Sequence, residues 1–99
     1  MYARMITTQL MPGKVDDAIA LWRDKVTPSL TQTTGFKGAY LLGDRATGKG
    51  VTITLWDSEA AAVAMDTSGQ YQQTIAMFAA MFSAPPSRER YEVFVEVNA

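Results

Sequence analysis

Val51-Thr52-Ile53-Thr54-Leu55-Trp56-Asp57-Ser58-Glu59 is the stretch from which the fold can be read. Side chains in a strand alternate between faces, so Val51, Ile53 and Leu55 share one side while Thr52, Thr54 and Trp56 share the other. Asp57 or Ser58 can accept hydrogen bonds from the free amides of a following helix, and Asp57 and Glu59 suit its positive end. The alanine-rich run Ala60 to Met65 supplies that helix. Strand, tryptophan and helix follow one another without a loop, which places a large flat ring where a sheet edge and a helix diverge. A pocket is expected there.

Working outward, Asp44-Arg45-Ala46-Thr47-Gly48-Lys49-Gly50 has turn chemistry and joins Val51–Trp56 to a preceding strand, Phe36 to Gly43, as an antiparallel hairpin. Tyr2 to Met11 reads as a further strand, with Arg4, Ile6, Thr8 and Leu10 on one face, and Pro12-Gly13 ends it. From Lys14, apolar residues fall at Val15, Ala18, Ile19, Trp22 and Val26, the spacing of one helix face. Asp16 and Asp17 suit the start of that helix. Pro28 predicts a break after Val26, with Thr27 capping a short second piece that stops at Gly35. On the C-terminal side, Ser58 to Met65 is a short helix interrupted by Asp66-Thr67-Ser68-Gly69. A second helix runs from about Gln70 to Phe82, with Tyr71, Ile75, Phe78 and Phe82 on one face. Pro85-Pro86 stops it, and Tyr91 to Val97 alternates as a last strand.

The order strand, helix, strand, strand, helix, strand is the split βαβ arrangement of a ferredoxin-like α+β domain, in which helices cover one face of a four-stranded antiparallel sheet. All 99 residues fit a single domain with one core. The uncovered face leaves either Val51/Ile53/Leu55 or Trp56 exposed, and an apolar sheet face of that size calls for a partner. A second copy related by a two-fold axis is the economical one.

The composition excludes several functions. Nine basic and ten acidic residues give a net charge of -1 with no charged run, which argues against nucleic acid as a partner. Neither Cys nor His occurs, which removes disulfides, Cys/His zinc sites, a His general base, a Ser-His-Asp triad and His or Cys ligation of haem iron. No apolar run reaches the roughly 18 residues of a membrane span, and the N-terminus lacks the apolar core of a secretory signal, so a cytoplasmic location is expected.

Pro12-Gly13-Lys14 before the first helix, Trp22, Pro28, Gly35-Phe36-Lys37-Gly38 entering the second strand, and Leu55-Trp56-Asp57-Ser58-Glu59 after the third resemble, in order and spacing, the antibiotic-biosynthesis monooxygenase family of the dimeric α+β barrel superfamily. The resemblance spans nearly the whole chain. It implies a homodimer whose two sheets pack face to face, with Val51, Ile53 and Leu55 in the dimer core. It also implies a pocket in each protomer between sheet and helices into which Thr52, Thr54 and Trp56 look, and Ile6, Ile75 and Phe78 are further candidates for its lining. Family members include cofactor-independent oxygenases of polycyclic phenols and haem-degrading enzymes. Of the haem-degrading pattern, Trp56 matches the aromatic at the strand end, but the iron-binding histidine falls at Ile75 and the first-strand asparagine at Ile6, which speaks against haem degradation. Of the quinone-forming pattern, the asparagine and tryptophan of one strand face fall at Thr52 and Trp56.

These matches imply a monooxygenase that uses no cofactor and acts on a small apolar or aromatic, phenolic compound, with Trp56 as a catalytic candidate; the phenol of Tyr71 makes it a second one. A non-catalytic barrel that binds a small apolar ligand, or serves only for assembly, is the alternative. Trp56 also reads as a core or interface aromatic, with Thr52 able to accept its indole N–H. Tyr71 and Tyr40 could hydrogen-bond a phenol, and Tyr71 could relay a proton. Trp22 reads as core, and Met77 and Met81 as core filling or cavity wall. Arg88, Glu89 and Arg90 form a charged entrance to the last strand that becomes a carboxylate clamp only if a pocket opens beside it.

Overall fold

A computed structural model describes residues 1–99 and has four strands, β1 (Tyr2–Leu10), β2 (Phe36–Gly43), β3 (Lys49–Trp56) and β4 (Phe82–Glu92). They form one antiparallel sheet in the order β2-β3-β1-β4. The helical segments are α1 (Val15–Leu21), a π-helical turn (Trp22–Val26), α2 (Thr27–Thr31), α3 (Glu59–Thr67), α4 (Gln70–Phe78) and a short 3₁₀ turn (Ala79–Met81). This is the ferredoxin-like α+β fold expected from the order of elements.

The register fixes what each face carries. One cross-sheet row is Ala39, Thr54, Arg4 and Arg90, and the next on the same face is Leu41, Thr52, Ile6 and Arg88. Arg4, Ile6, Thr54 and Trp56 are buried, so this is the face that the helices cover. The row between them, Tyr40, Ile53, Met5 and Glu89, lies on the opposite face. Tyr40 is 62% exposed there, and Leu42 and Tyr91 are exposed on the same side. The core that seals the helical layer is made of Ala18, Val26, Leu30, Trp56, Ala62, Met65 and Phe78.

Ser58 caps α3 by accepting the Ala61 amide at 3.1 Å, so the strand-to-helix junction is built as its sequence suggests. Gly35 permits the chain to enter β2 beside it. Its φ is +86°, and a Cβ would stand 2.6 Å from Ala61 Cβ and 2.8 Å from Asp57 Oδ1, a backbone region and a gap that only glycine fits.

Four expectations need correction. There is no break at Pro28, because the helix widens into the π turn and the Thr27 amide bonds to the Trp22 carbonyl five residues back. The ladder thus skips the position where proline has no N–H to give. Thr27 offers no side-chain cap, and its hydroxyl instead bonds to the Trp22 carbonyl. Helix α3 extends through Asp66 to Thr67, and Gly69 at φ +83° opens α4. The last strand begins at Phe82, well before Tyr91, so Pro85-Pro86 lies within it. An edge strand tolerates proline, and here Pro85 and Pro86 sit opposite Thr8 where the register shifts between Thr7 and Gln9. Beyond Glu92 no strand forms, since Glu92 already pairs with Tyr2 and β1 has no further residues to offer. Phe94, Val95 and Val97 are consequently almost fully exposed.

Candidate functional site

A cavity of about 280 Å³ lies between the helix-covered sheet face and the helices. Its floor comes from β1 and β3, with Arg4, Ile6, Thr8, Thr52 and Thr54, and its roof includes Trp22, Tyr71, Thr74, Ile75 and Phe78. Asp44, Arg45 and Lys49 of the β2–β3 hairpin also line it and are exposed, which makes the hairpin end the mouth. An apolar enclosure with a few converging polar groups is the usual form of a small-molecule site.

Six expected residues come together here: Ile6, Thr52, Thr54, Tyr71, Ile75 and Phe78 all line the cavity. Trp56 does not. Its side chain has no exposed surface and belongs to the closed core, with its ring edge-on to Phe36 at 5.6 Å between centroids. The indole Nε1 donates to Thr54 Oγ1 at 2.9 Å, so the acceptor is Thr54 and not Thr52. Residues two apart on a strand share a face, and the nearer threonine intercepts the bond. Since Thr54 Oγ1 accepts from the indole, its own O–H remains to donate. Tyr40 is on the other side of the sheet, and neither Met77 nor Met81 reaches the cavity, where Met65 is the methionine present.

The polar end of the cavity is organised by Asp66. One carboxylate oxygen, Oδ1, accepts from Arg4 Nη2 at 2.7 Å and from Arg88 Nη1 at 2.9 Å. Both guanidinium groups also lie against the Tyr71 ring, 5.1 Å and 4.9 Å from its centroid, a favourable cation–π distance. Arg4 is only 2% exposed. Burial pushes its pKa below the ordinary guanidinium value and the Asp66 carboxylate works against that. Burial pushes the Tyr71 phenol above its ordinary value, opposed by Arg88 and Arg4. Tyr71 therefore keeps a phenolic O–H that is available to donate.

Arg4 and Asp66 were legible only in part. Alternation puts Arg4 on the face of Ile6 and Leu10, an unusual place for a charge, but its partner is 62 residues away. No three His, Cys, Asp or Glu side chains converge, and away from the charged mouth the polar side chains of the cavity are hydroxyls and the Arg4 guanidinium.

The layered α+β architecture defines the class, and sequence comparison gives the family. The antibiotic biosynthesis monooxygenase family model matches residues 1–77, and the chain belongs to that family. Among solved structures, it is similar to the ActVA-Orf6 monooxygenase of Streptomyces coelicolor in complex with nanaomycin D, with a TM-score of 0.81 at 15% identity over 99% of this chain and 91% of that one. It is also similar to SnoaB, a cofactor-independent oxygenase of Streptomyces nogalater, with a TM-score of 0.76 at 11% identity over 99% and 97%. At such identities the likeness is one of fold. An uncharacterised protein of Mycobacterium tuberculosis is 34% identical over 93 residues, which are 93% of this chain and 40% of the relative. The chain thus spans about two fifths of the length of that relative. No helix is long and apolar enough to cross a membrane.

Proposed function

We propose that the protein is a cofactor-independent monooxygenase of a small phenolic, polycyclic compound. The observation that carries the reading is the open cavity of about 280 Å³ whose apolar walls converge on the hydroxyls of Thr52, Thr54 and Tyr71. An electron-rich ring of this kind supplies its own reducing power once it is deprotonated. At an activated CH₂ carbon, one atom of O₂ becomes the new carbonyl oxygen and the other leaves as water with the two hydrogens, so the carbon gives four electrons and O₂ takes four. The protein must hold the ring, exclude water and favour loss of the first proton. In this reading Ile6, Ile75 and Phe78 grip the ring, Thr52 and Thr54 contact its oxygen, and protonated Tyr71 donates to it. Trp56 is a positioning residue that orients the Thr54 hydroxyl.

The protomer acts as half of a two-fold dimer in this proposal. The sheet face that carries Tyr40, Leu42 and Tyr91 has no cover within the chain, and a second copy supplies one with matching chemistry. The competing reading is a ligand-binding barrel without turnover. It is favoured by one observation: Thr52 stands where the resemblance to quinone-forming oxygenases calls for an asparagine. Aerobic incubation with a hydroxylated anthrone separates them. The oxygenase reading expects protein-dependent uptake of one O₂ per quinone, lost when Ile75→Trp fills the cavity. Uptake at the same rate with and without protein rejects it.

A further inference from the structure

Arg4 poses a problem that its ion pair does not solve. The side chain is 2% exposed, yet its one hydrogen bond is the contact from Nη2 to Asp66 Oδ1. Its Nε is buried without a partner. An unmet buried N–H costs about 1–3 kcal/mol, so such a group calls for a physical reason. The surrounding charge points the same way. Asp66 has to serve both Arg4 and Arg88 through a single oxygen, so this end of the site holds two positive charges and one negative. Arg4 nevertheless lies in the cavity wall, paired across the sheet with Thr54 and in contact with the Tyr71 ring.

We infer that Arg4, with Thr54 and Tyr71 beside it, forms an oxyanion subsite, so that the ligand is an apolar ring system bearing one negatively charged oxygen group. A carboxylate or a phenolate would give the guanidinium a second anionic partner from the cavity side and balance the excess charge. Thr54, whose oxygen is held by the indole, and Tyr71 line the same cavity and carry O–H groups that can donate to such an oxygen. The inference deepens the oxygenase proposal and rests on its cavity. It also gives that proposal its means of proton loss, because a phenol bound against a guanidinium ionises more readily than in water. Asp66 holds Arg4 in place and is a positioning residue.

The test compares 2-naphthoate with 2-naphthamide, which share a ring system and nearly a shape but differ in charge, by calorimetric titration of the full chain. The acid is expected to bind at least about tenfold more tightly than the amide, in keeping with a charge-assisted hydrogen bond. Arg4→Met should abolish the preference while leaving amide binding in place, and Arg4→Lys should keep part of it. Equal affinities for acid and amide in the wild type overturn the oxyanion subsite but leave the cavity reading standing. Binding of neither compound overturns both. Since the wild-type comparison needs no variant, a folding defect in Arg4→Met does not blunt the test. A second arm tells the two anion sources apart: 2-naphthol bound near neutral pH should show the absorption of its naphtholate if phenolates are taken, and that of the neutral naphthol if carboxylates alone are.

Discussion

If the indole of Trp56 is a core group tied to Thr54, removing both partners should cost less than the sum of removing each alone. Thr54→Val keeps the side chain's shape but leaves Trp56 Nε1 in a site with no exposed surface and no other partner. The expected loss is about 1–3 kcal/mol of unfolding free energy, the cost of an orphaned buried donor. Trp56→Phe removes the donor and part of a fully buried ring, and should cost about 2–4 kcal/mol on the scale of large-to-small core substitutions. In the double variant no donor is orphaned, so the combined loss should fall short of the sum by about 1–2 kcal/mol. Urea unfolding followed by far-ultraviolet circular dichroism gives all four values and does not depend on tryptophan emission. Strict additivity would refute the buried indole–hydroxyl pair. So would a Trp56→Phe variant with full stability and altered ligand binding, because that is the signature of an indole facing the cavity.

Other predictions follow from single contacts. Gly35→Ala puts a methyl group 2.6 Å from Ala61 Cβ at a φ of +86° and should lower stability by about 1–3 kcal/mol in thermal melts. Ser58→Ala removes the α3 cap and should cost about 1 kcal/mol by the same assay. Burial raises the Tyr71 pKa in the folded state, so the folded form binds the phenolic proton more tightly than the unfolded one. That contribution is present below the unfolded value of about 10 and is lost as pH rises beyond it, and Tyr71→Phe should flatten the alkaline limb of a stability–pH profile. Ile53→Asp, on the uncovered face, should shift sedimentation from dimer to monomer while the cavity persists.

How much of this was readable from sequence depended on the range of the interaction. The β3 alternation, its Ser58 cap and the hairpin across Asp44–Gly50 are local, and each sits where its residues place it. The proline at position 28 misled because a π turn lets a helix pass a missing N–H, and no periodicity announces that one-residue shift. The two prolines at 85 and 86 misled for a topological reason. They read as a stop, but β4 is an edge strand, and which strand lies at an edge is set by the whole sheet. Alternation from Tyr91 to Val97 had the look of a strand, yet a strand needs a neighbour and β1 ends at Tyr2. In the site, periodicity grouped Ile75 with Phe78 on one helix face and Thr52 with Thr54 on one strand face, and the family resemblance implied the pocket between them. The Arg4–Asp66–Arg88 group could not be read this way, because it joins β1, α3 and β4 through side chains alone.

The isoleucines offer the most direct test of the ligand cavity. The chain has four, Ile6, Ile19, Ile53 and Ile75; Ile6, Ile19 and Ile75 line the cavity, whereas Ile53 pairs with Met5 and Tyr40 on the opposite sheet face. With isoleucine methyl groups labelled by carbon-13, anaerobic titration with 2-naphthol should move the Ile6, Ile19 and Ile75 resonances and leave Ile53 in place. A shift confined to Ile53, or no shift at any of the four at saturating naphthol, would contradict the account.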